Sequence, residues 1–144
     1  MTELDNVDKL VLRLKKLSDQ LKELKKHGQI SVEKLNSDKL LSSALERQLE
    51  VACEIALDIA RLVNTDQRLP VAEDYKGYIV SLGKANILPA EFATEFSKIA
   101  GFRNILAHDY LDIDPKQIVD KINNHLVDFD TFIRSIAQFY ELKK

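Results

Sequence analysis

One short segment of the chain concentrates side chains that could act on a phosphodiester bond. Residues 101–110 read GFRNILAHDY and place Arg103, Asn104, His108 and Tyr110 within eight positions. Arginine binds phosphate and keeps its charge at physiological pH, and histidine gives and takes a proton near neutrality. The segment therefore carries a minimum set of groups for cleaving a phosphodiester without a metal ion.

Each of these side chains also has a purely structural interpretation. Arg103 could pair with an acidic neighbour such as Glu95, and His108 could be favoured at a helix C-terminus by the helix dipole. Tyr110 could belong to an amphipathic rim, and Asn104 could be a solvated polar residue. The bare spacing of an arginine and a histidine is a weak motif, so the surroundings of the segment must decide.

Composition restricts the class of protein. The chain has 144 residues, of which 45% are hydrophobic and 31% charged, and this favours one globular domain over residues 1–144. Four glycines and three prolines leave room for long helices. The net charge of −2 excludes a polycation that coats RNA by bulk charge, so any contact with RNA must be local.

The sequence favours a cytoplasmic protein without a cofactor. No apolar run approaches the length of a membrane span, and the N-terminal residues lack the features of a secretory signal. The single Cys53 cannot form an intrachain disulfide, which fits a reducing compartment. His27 and His125 have no acidic or cysteine neighbours at ligand spacing, so we predict no metal site. The lack of a long apolar run predicts no membrane contact.

Apolar residues recur with helical periodicity along the whole chain. Asp114 followed by Pro115 is a typical helix start, and the short polar breaks favour antiparallel neighbours. The pattern predicts an all-α, five-helix up-down bundle. The predicted helices cover about residues 3–26, 38–63 and 72–82, then a stretch from Pro89 through Leu106, and a last helix that opens at Asp114.

The segment and its surroundings resemble the HEPN superfamily, specifically the HepT-like toxins that are paired with minimal nucleotidyltransferases (MNT). Arg103, His108 and Tyr110 match the Arg-x4-His-x-Tyr signature, and Asn104 is the polar residue that commonly follows the arginine. The order and spacing also match outside the motif, and the similarity covers nearly the whole chain. The matching segments are VACEIALDIA at 51–60, Tyr75-Lys76, Leu88-Pro89 and Asp114-Pro115.

The resemblance implies the toxin of a type VII HEPN–MNT toxin–antitoxin system. Such a toxin is a symmetric homodimer and a metal-independent endoribonuclease, with RNA, and tRNA among the candidates, as substrate. Arg103 would hold the phosphate, His108 would act as general base or acid, and Asn104 would bind the phosphate or orient His108. The MNT partner would neutralise the toxin by AMPylation of Tyr110.

The positions of the motif residues on an ideal helix raise a geometric problem. Arg103 and His108 are five residues apart and therefore point in directions about 140° apart. Either the helix end is distorted, or two protomers face each other and pool their residues.

Two other interpretations stay open at the level of sequence. The chain could be a non-catalytic subunit that presents substrate to a nucleotidyltransferase, with the same fold. It could also be a generic helical interaction domain in which the motif is accidental. A small nucleotidyltransferase in the neighbouring reading frame would weaken the last interpretation.

Overall fold

The computed structural model describes residues 5–108 and 113–142, and every regular element in these ranges is a helix. No helix in these two ranges combines the length and the apolar character needed to cross a bilayer. The elements are α1 (Asn6–Lys25), α2 (Val32–Ser37), α3 (Lys39–Asp66), α4 (Tyr75–Lys84), α5 (Ala90–Phe96), α6 (Ile99–His108), α7 (Pro115–Asp120), a π turn (Lys121–His125) and α8 (Leu126–Phe139). The all-α prediction is confirmed.

The long helix α3 is the centre of the core, and α1, α4 and α6 pack against it. Small buried residues along α3 let these neighbours come close; they are Ala52, Cys53, Ala56 and Ala60. The leucines that recur at helical spacing in α1 form the face that this helix buries; they are Leu10, Leu14, Leu17, Leu21 and Leu24. The periodicity in the sequence therefore reflects core packing rather than an exposed coiled-coil seam.

Two local features differ from the predicted helix pattern. The short helix α2 precedes α3 and is capped by Ser31, whose hydroxyl accepts a hydrogen bond from the Lys34 amide at 3.1 Å. The stretch predicted as one helix from Pro89 through Leu106 is divided into α5 and α6 at Ser97. The Ser97 side chain is fully buried and donates to the Thr94 carbonyl at 2.7 Å, which competes with regular helix continuation.

The C-terminal segment begins as predicted, because the Asp114 carboxylate caps α7 by accepting from the Lys116 amide at 2.9 Å. The same segment then widens into the π turn before α8 starts. The Asn123 side chain in this turn accepts from the Ile30 amide at 3.0 Å and donates to the Ile30 carbonyl at 2.9 Å. This pair of bonds ties the π turn to the connection between α1 and α2.

We expect Asn123→Ala to lower the free energy of unfolding by about 1–3 kcal/mol, because it leaves two partly buried backbone groups without partners. Urea denaturation of the variant and the unchanged protein measures the difference.

Asn124→Ala is the matched control, because its amide makes only an exposed bond to Asp120. That variant should stay within about 0.5 kcal/mol of the parent. Equal stability losses for both variants would contradict a special role of the Asn123 contacts.

Candidate functional site

The helix α6 carries the motif and is oriented by its apolar face. Ile99, Phe102 and Leu106 are buried, and the helix packs against α3. Because consecutive helical residues turn by about 100°, the burial of Phe102 places Arg103 at the edge of the packed face. Asn104 and His108 are exposed.

Arg103 lies partly buried between α6 and α3, with 31% of its side chain exposed. Its Nη1 donates to the Asn104 Oδ1 at 3.2 Å, and its Nε lies 4.0 Å from Glu54 Oε1. That Nε is shielded from solvent and donates no hydrogen bond to any described residue. The guanidinium is therefore held in place but not fully paired.

The Glu54 carboxylate is shared between two arginines. Its Oε1 lies 4.0 Å from Arg47 Nη1 as well as 4.0 Å from Arg103 Nε. Arg47 is also 3.4 Å from Glu50. All three distances exceed the 2.7–2.9 Å of a charge-assisted hydrogen bond, so these are loose ion pairs that a stronger anion can displace.

The π turn brings a further cation to the same region. Lys121 Nζ lies 5.2 Å from the centroid of the Phe102 ring, and Phe102 is the residue before Arg103. We call Arg47, Glu50, Glu54, Arg103 and Lys121 the charged cluster. It combines side chains from α3, α6 and the π turn.

Four members of the charged cluster act on the buried thiol of Cys53. Burial is the largest effect and raises the pKa of Cys53 to about 12, while the charges of Lys121 and Arg103 lower it and those of Glu54 and Glu50 raise it. The thiol therefore stays protonated, and Cys53 is a small core residue.

His108 is the last residue of α6 and is exposed. Because residues 99–108 form one α-helix, the side chains of Arg103 and His108 point in directions about 140° apart around its axis. No hydrogen bond joins His108 to another described residue. Arg103 and Asn104 are thus brought together, whereas His108 points elsewhere. Tyr110 lies outside the residues that the structure describes.

Some contacts of the site could not be read from the sequence. Glu95, a candidate partner of Arg103, pairs instead with Lys98 at 3.0 Å, and the carboxylate beside Arg103 is that of Glu54. In the sequence, nothing distinguishes Lys121 except its position directly before Ile122 in an apolar stripe. Such contacts depend on how the helices are rotated against each other.

The surroundings of the cluster include an open groove of about 530 Å³ between α1 and α3. Glu54 and Arg47 belong to the charged cluster and also line this groove. Leu12, with 57% of its surface exposed, lines the groove on the α1 side.

Within residues 5–108 and 113–142, no three His, Cys, Asp or Glu side chains are grouped to hold a metal ion.

Known relatives are similar in sequence to this chain over most of its length. The chain is 29% identical to the "tRNA nuclease HepT" of Aphanizomenon flos-aquae over 138 residues, which cover 93% of this chain and 92% of the relative. It is also 29% identical to the "mRNA nuclease HepT" of Shewanella oneidensis over 96 residues, 67% of this chain and 72% of that one.

The fold agrees with these similarities. A solved structure of a tri-AMPylated Shewanella oneidensis HEPN toxin in complex with an MNT antitoxin superposes with a TM-score of 0.75, over 94% of this chain and 99% of that one, at 24% identity. The helical bundle is therefore that of HEPN toxins. The family model described as "Ribonuclease HepT-like" matches residues 17–136, and the chain belongs to this family.

Proposed function

We propose that the protein is an endoribonuclease toxin that cleaves RNA without a metal ion and is neutralised by a nucleotidyltransferase partner. The observation that carries the proposal is the state of Arg103. Its guanidinium is held at the edge of the core, yet its Nε has no hydrogen-bond acceptor among the described residues. Because 31% of the Arg103 side chain is exposed, a phosphate can reach the guanidinium, and a small shift of the side chain would give the Nε an acceptor. The family membership supports a nuclease.

The reaction that fits these groups is an internal transesterification. The 2′-hydroxyl oxygen of the RNA attacks the adjacent phosphorus, the bond from phosphorus to the 5′-oxygen breaks, and a 2′,3′-cyclic phosphate and a 5′-hydroxyl end result. His108 takes the proton of the 2′-hydroxyl as base or supplies one to the leaving oxygen as acid. Arg103 offsets the charge that grows on the phosphate oxygens, and Asn104 donates to the phosphate or orients His108.

This chemistry selects RNA, since DNA lacks the attacking 2′-hydroxyl. It also needs no metal, because the substrate brings its own nucleophile and the charge is offset by arginine. The names of the two relatives, one a tRNA nuclease and one an mRNA nuclease, support RNA as the class of substrate and leave both kinds as candidates.

We propose further that two protomers pool their residues in a symmetric homodimer. The divergence of Arg103 and His108 around α6 argues against one protomer placing both on the same phosphate. Exposed apolar side chains on α1 offer a surface for contact between copies; they are Val7, Val11 and Leu12.

The test of the nuclease proposal is cleavage of total tRNA and of mRNA in EDTA by the purified protein and its His108→Ala variant. We expect cleavage that survives EDTA, leaves 2′,3′-cyclic phosphate ends and falls by about 10²–10⁴-fold in the variant, the usual contribution of general acid–base catalysis.

His27→Ala is the matched control. Among the described residues the His27 ring is hydrogen-bonded to Gln48 at 3.3 Å, away from the motif, and this variant should cleave like the parent. Cleavage that EDTA abolishes would contradict the metal-independent mechanism. No cleavage by a protein whose intact mass shows no added AMP would favour the alternative, a non-catalytic substrate-binding subunit of a nucleotidyltransferase.

Pooling of residues has its own test, in which Arg103→Ala and His108→Ala chains are co-expressed and assayed as a mixture. Each variant alone should be inactive. Random pairing in a two-fold dimer should restore about a quarter of the activity, because half of the dimers are mixed and each of these holds one intact pair. A mixture as inactive as its components would show that each protomer works alone.

Tyr110 is the proposed site of AMPylation by the MNT partner. Bulky anionic AMP groups near Arg103 would occupy the arginine and exclude RNA. Incubation with an MNT-type nucleotidyltransferase and ATP should add the mass of AMP and abolish RNA cleavage, and Tyr110→Phe should stay unmodified and active. Modification of Tyr110→Phe to the same extent would place the acceptor elsewhere, and Tyr75→Phe serves as control.

A further inference from the structure

Lys121 holds its ammonium group against the helix that carries the motif. Its Nζ lies 5.2 Å from the centroid of the Phe102 ring, and a cation over an aromatic face is attracted by the ring quadrupole. The residue is still partly exposed, so solvent reaches it. The contact therefore places a partly exposed positive charge beside Phe102, the residue that precedes Arg103 on α6.

The charged cluster is balanced without Lys121. Arg47 and Arg103 face Glu50 and Glu54 in loose ion pairs, and these two positive and two negative charges cancel. With Lys121 the cluster carries an excess of one positive charge. A phosphate diester carries one negative charge, so Lys121 supplies the positive charge of the charged cluster that its two glutamates leave uncompensated.

The electrostatics at Cys53 agree with a position of Lys121 and Arg103 near the same part of α3. Both cations lie close enough to the buried Cys53 to act on its thiol, although one comes from the π turn and the other from α6. The bonds between Asn123 and Ile30 hold the π turn where it is. The backbone of Lys121 is thus fixed by the fold, and its side chain packs on the Phe102 ring.

We propose that Lys121 is a second cation of the RNA site and contacts a backbone phosphate next to the one that Arg103 holds. This inference rests on the proposed nuclease function and deepens it. The competing role is purely structural, with the lysine covering Phe102. An uncharged side chain would cover the ring without the cost of partly burying a charge, and this favours a role for the charge itself.

The experiment measures RNA binding in a His108→Ala background, which keeps the RNA intact. Fluorescently labelled total tRNA is titrated with the parent and with Lys121→Gln, Lys121→Met and Lys121→Arg between 0.05 and 0.2 M salt. Loss of one phosphate contact should reduce the slope of log affinity against log salt by about 0.7–0.9. The loss of affinity in Lys121→Gln and Lys121→Met, relative to the parent, should therefore be about 3-fold larger at the lower salt concentration than at the higher one.

Two comparisons separate charge from packing. Lys121→Met keeps an apolar cover on Phe102 and should lose the contact as Gln does, whereas Lys121→Arg should keep the parental slope. Lys116→Gln, an exposed lysine on α7, is the matched control and should also keep it. Thermal unfolding of each variant shows whether the compared proteins are folded. If Lys121→Gln does not fold, Lys121→Met replaces it as the neutral variant.

The outcomes distinguish this inference from the function on which it rests. If the parent binds tRNA and the neutral variants keep its affinity and slope, Lys121 only packs on Phe102 and the inference is wrong. A deficit that Lys121→Arg shares in full would also overturn it, since charge would then not be the cause. If the parent binds no RNA and the unchanged protein cleaves none, the proposed function fails and the inference with it.

Discussion

The arrangement of the described residues depends on the burial of α3 between other helices. The small side chains of Ala52, Ala56 and Ala60 are fully buried and let α1, α4 and α6 approach closely. Each large apolar side chain buried against them contributes about 1.5–3 kcal/mol, so the rotation of α6 against α3 is strongly determined. This rotation buries Cys53 and leaves its neighbour Glu54 at the border, facing Arg103. The site is thus a consequence of core packing and not of a separate scaffold.

The electrostatics at this border explain how Arg103 can be ordered and yet free to bind. Two unit charges 4 Å apart interact by about 4 kcal/mol at an effective dielectric constant of 20. Glu54 and Arg103 are each about a third exposed, so solvent reduces the interaction towards the roughly 0–1 kcal/mol of surface pairs. A carboxylate at 4.0 Å therefore restrains the guanidinium weakly, and a phosphate that makes direct hydrogen bonds can compete for it.

Much of the helical pattern was predictable because apolar periodicity reports directly on burial. The leucines of α1 and the cap at Asp114 needed no tertiary information, and the motif was visible as a short spacing. The break at Ser97 was not predictable, since a buried serine can also continue a helix. The contacts of Arg103 with Glu54 and of Lys121 with Phe102 were not predictable either, because they depend on helix rotation. Homodimer formation and the roles of Arg103, Asn104, His108 and Tyr110 stay predictions.

The separation of Arg103 and His108 around α6 limits how the proposed reaction can proceed. A general base must come within about 2.6–3.2 Å of the group whose proton it takes, while a helix with its side chains is about 10–12 Å across. One α6 helix therefore presents its arginine and its histidine to different places. A two-fold axis beside the exposed His108 would turn the histidine of each copy towards the arginine of the other, and the symmetry would create two equivalent pairs. Dimer formation would then be part of the catalytic apparatus, because an isolated protomer would bind phosphate with Arg103 but lack a base within reach.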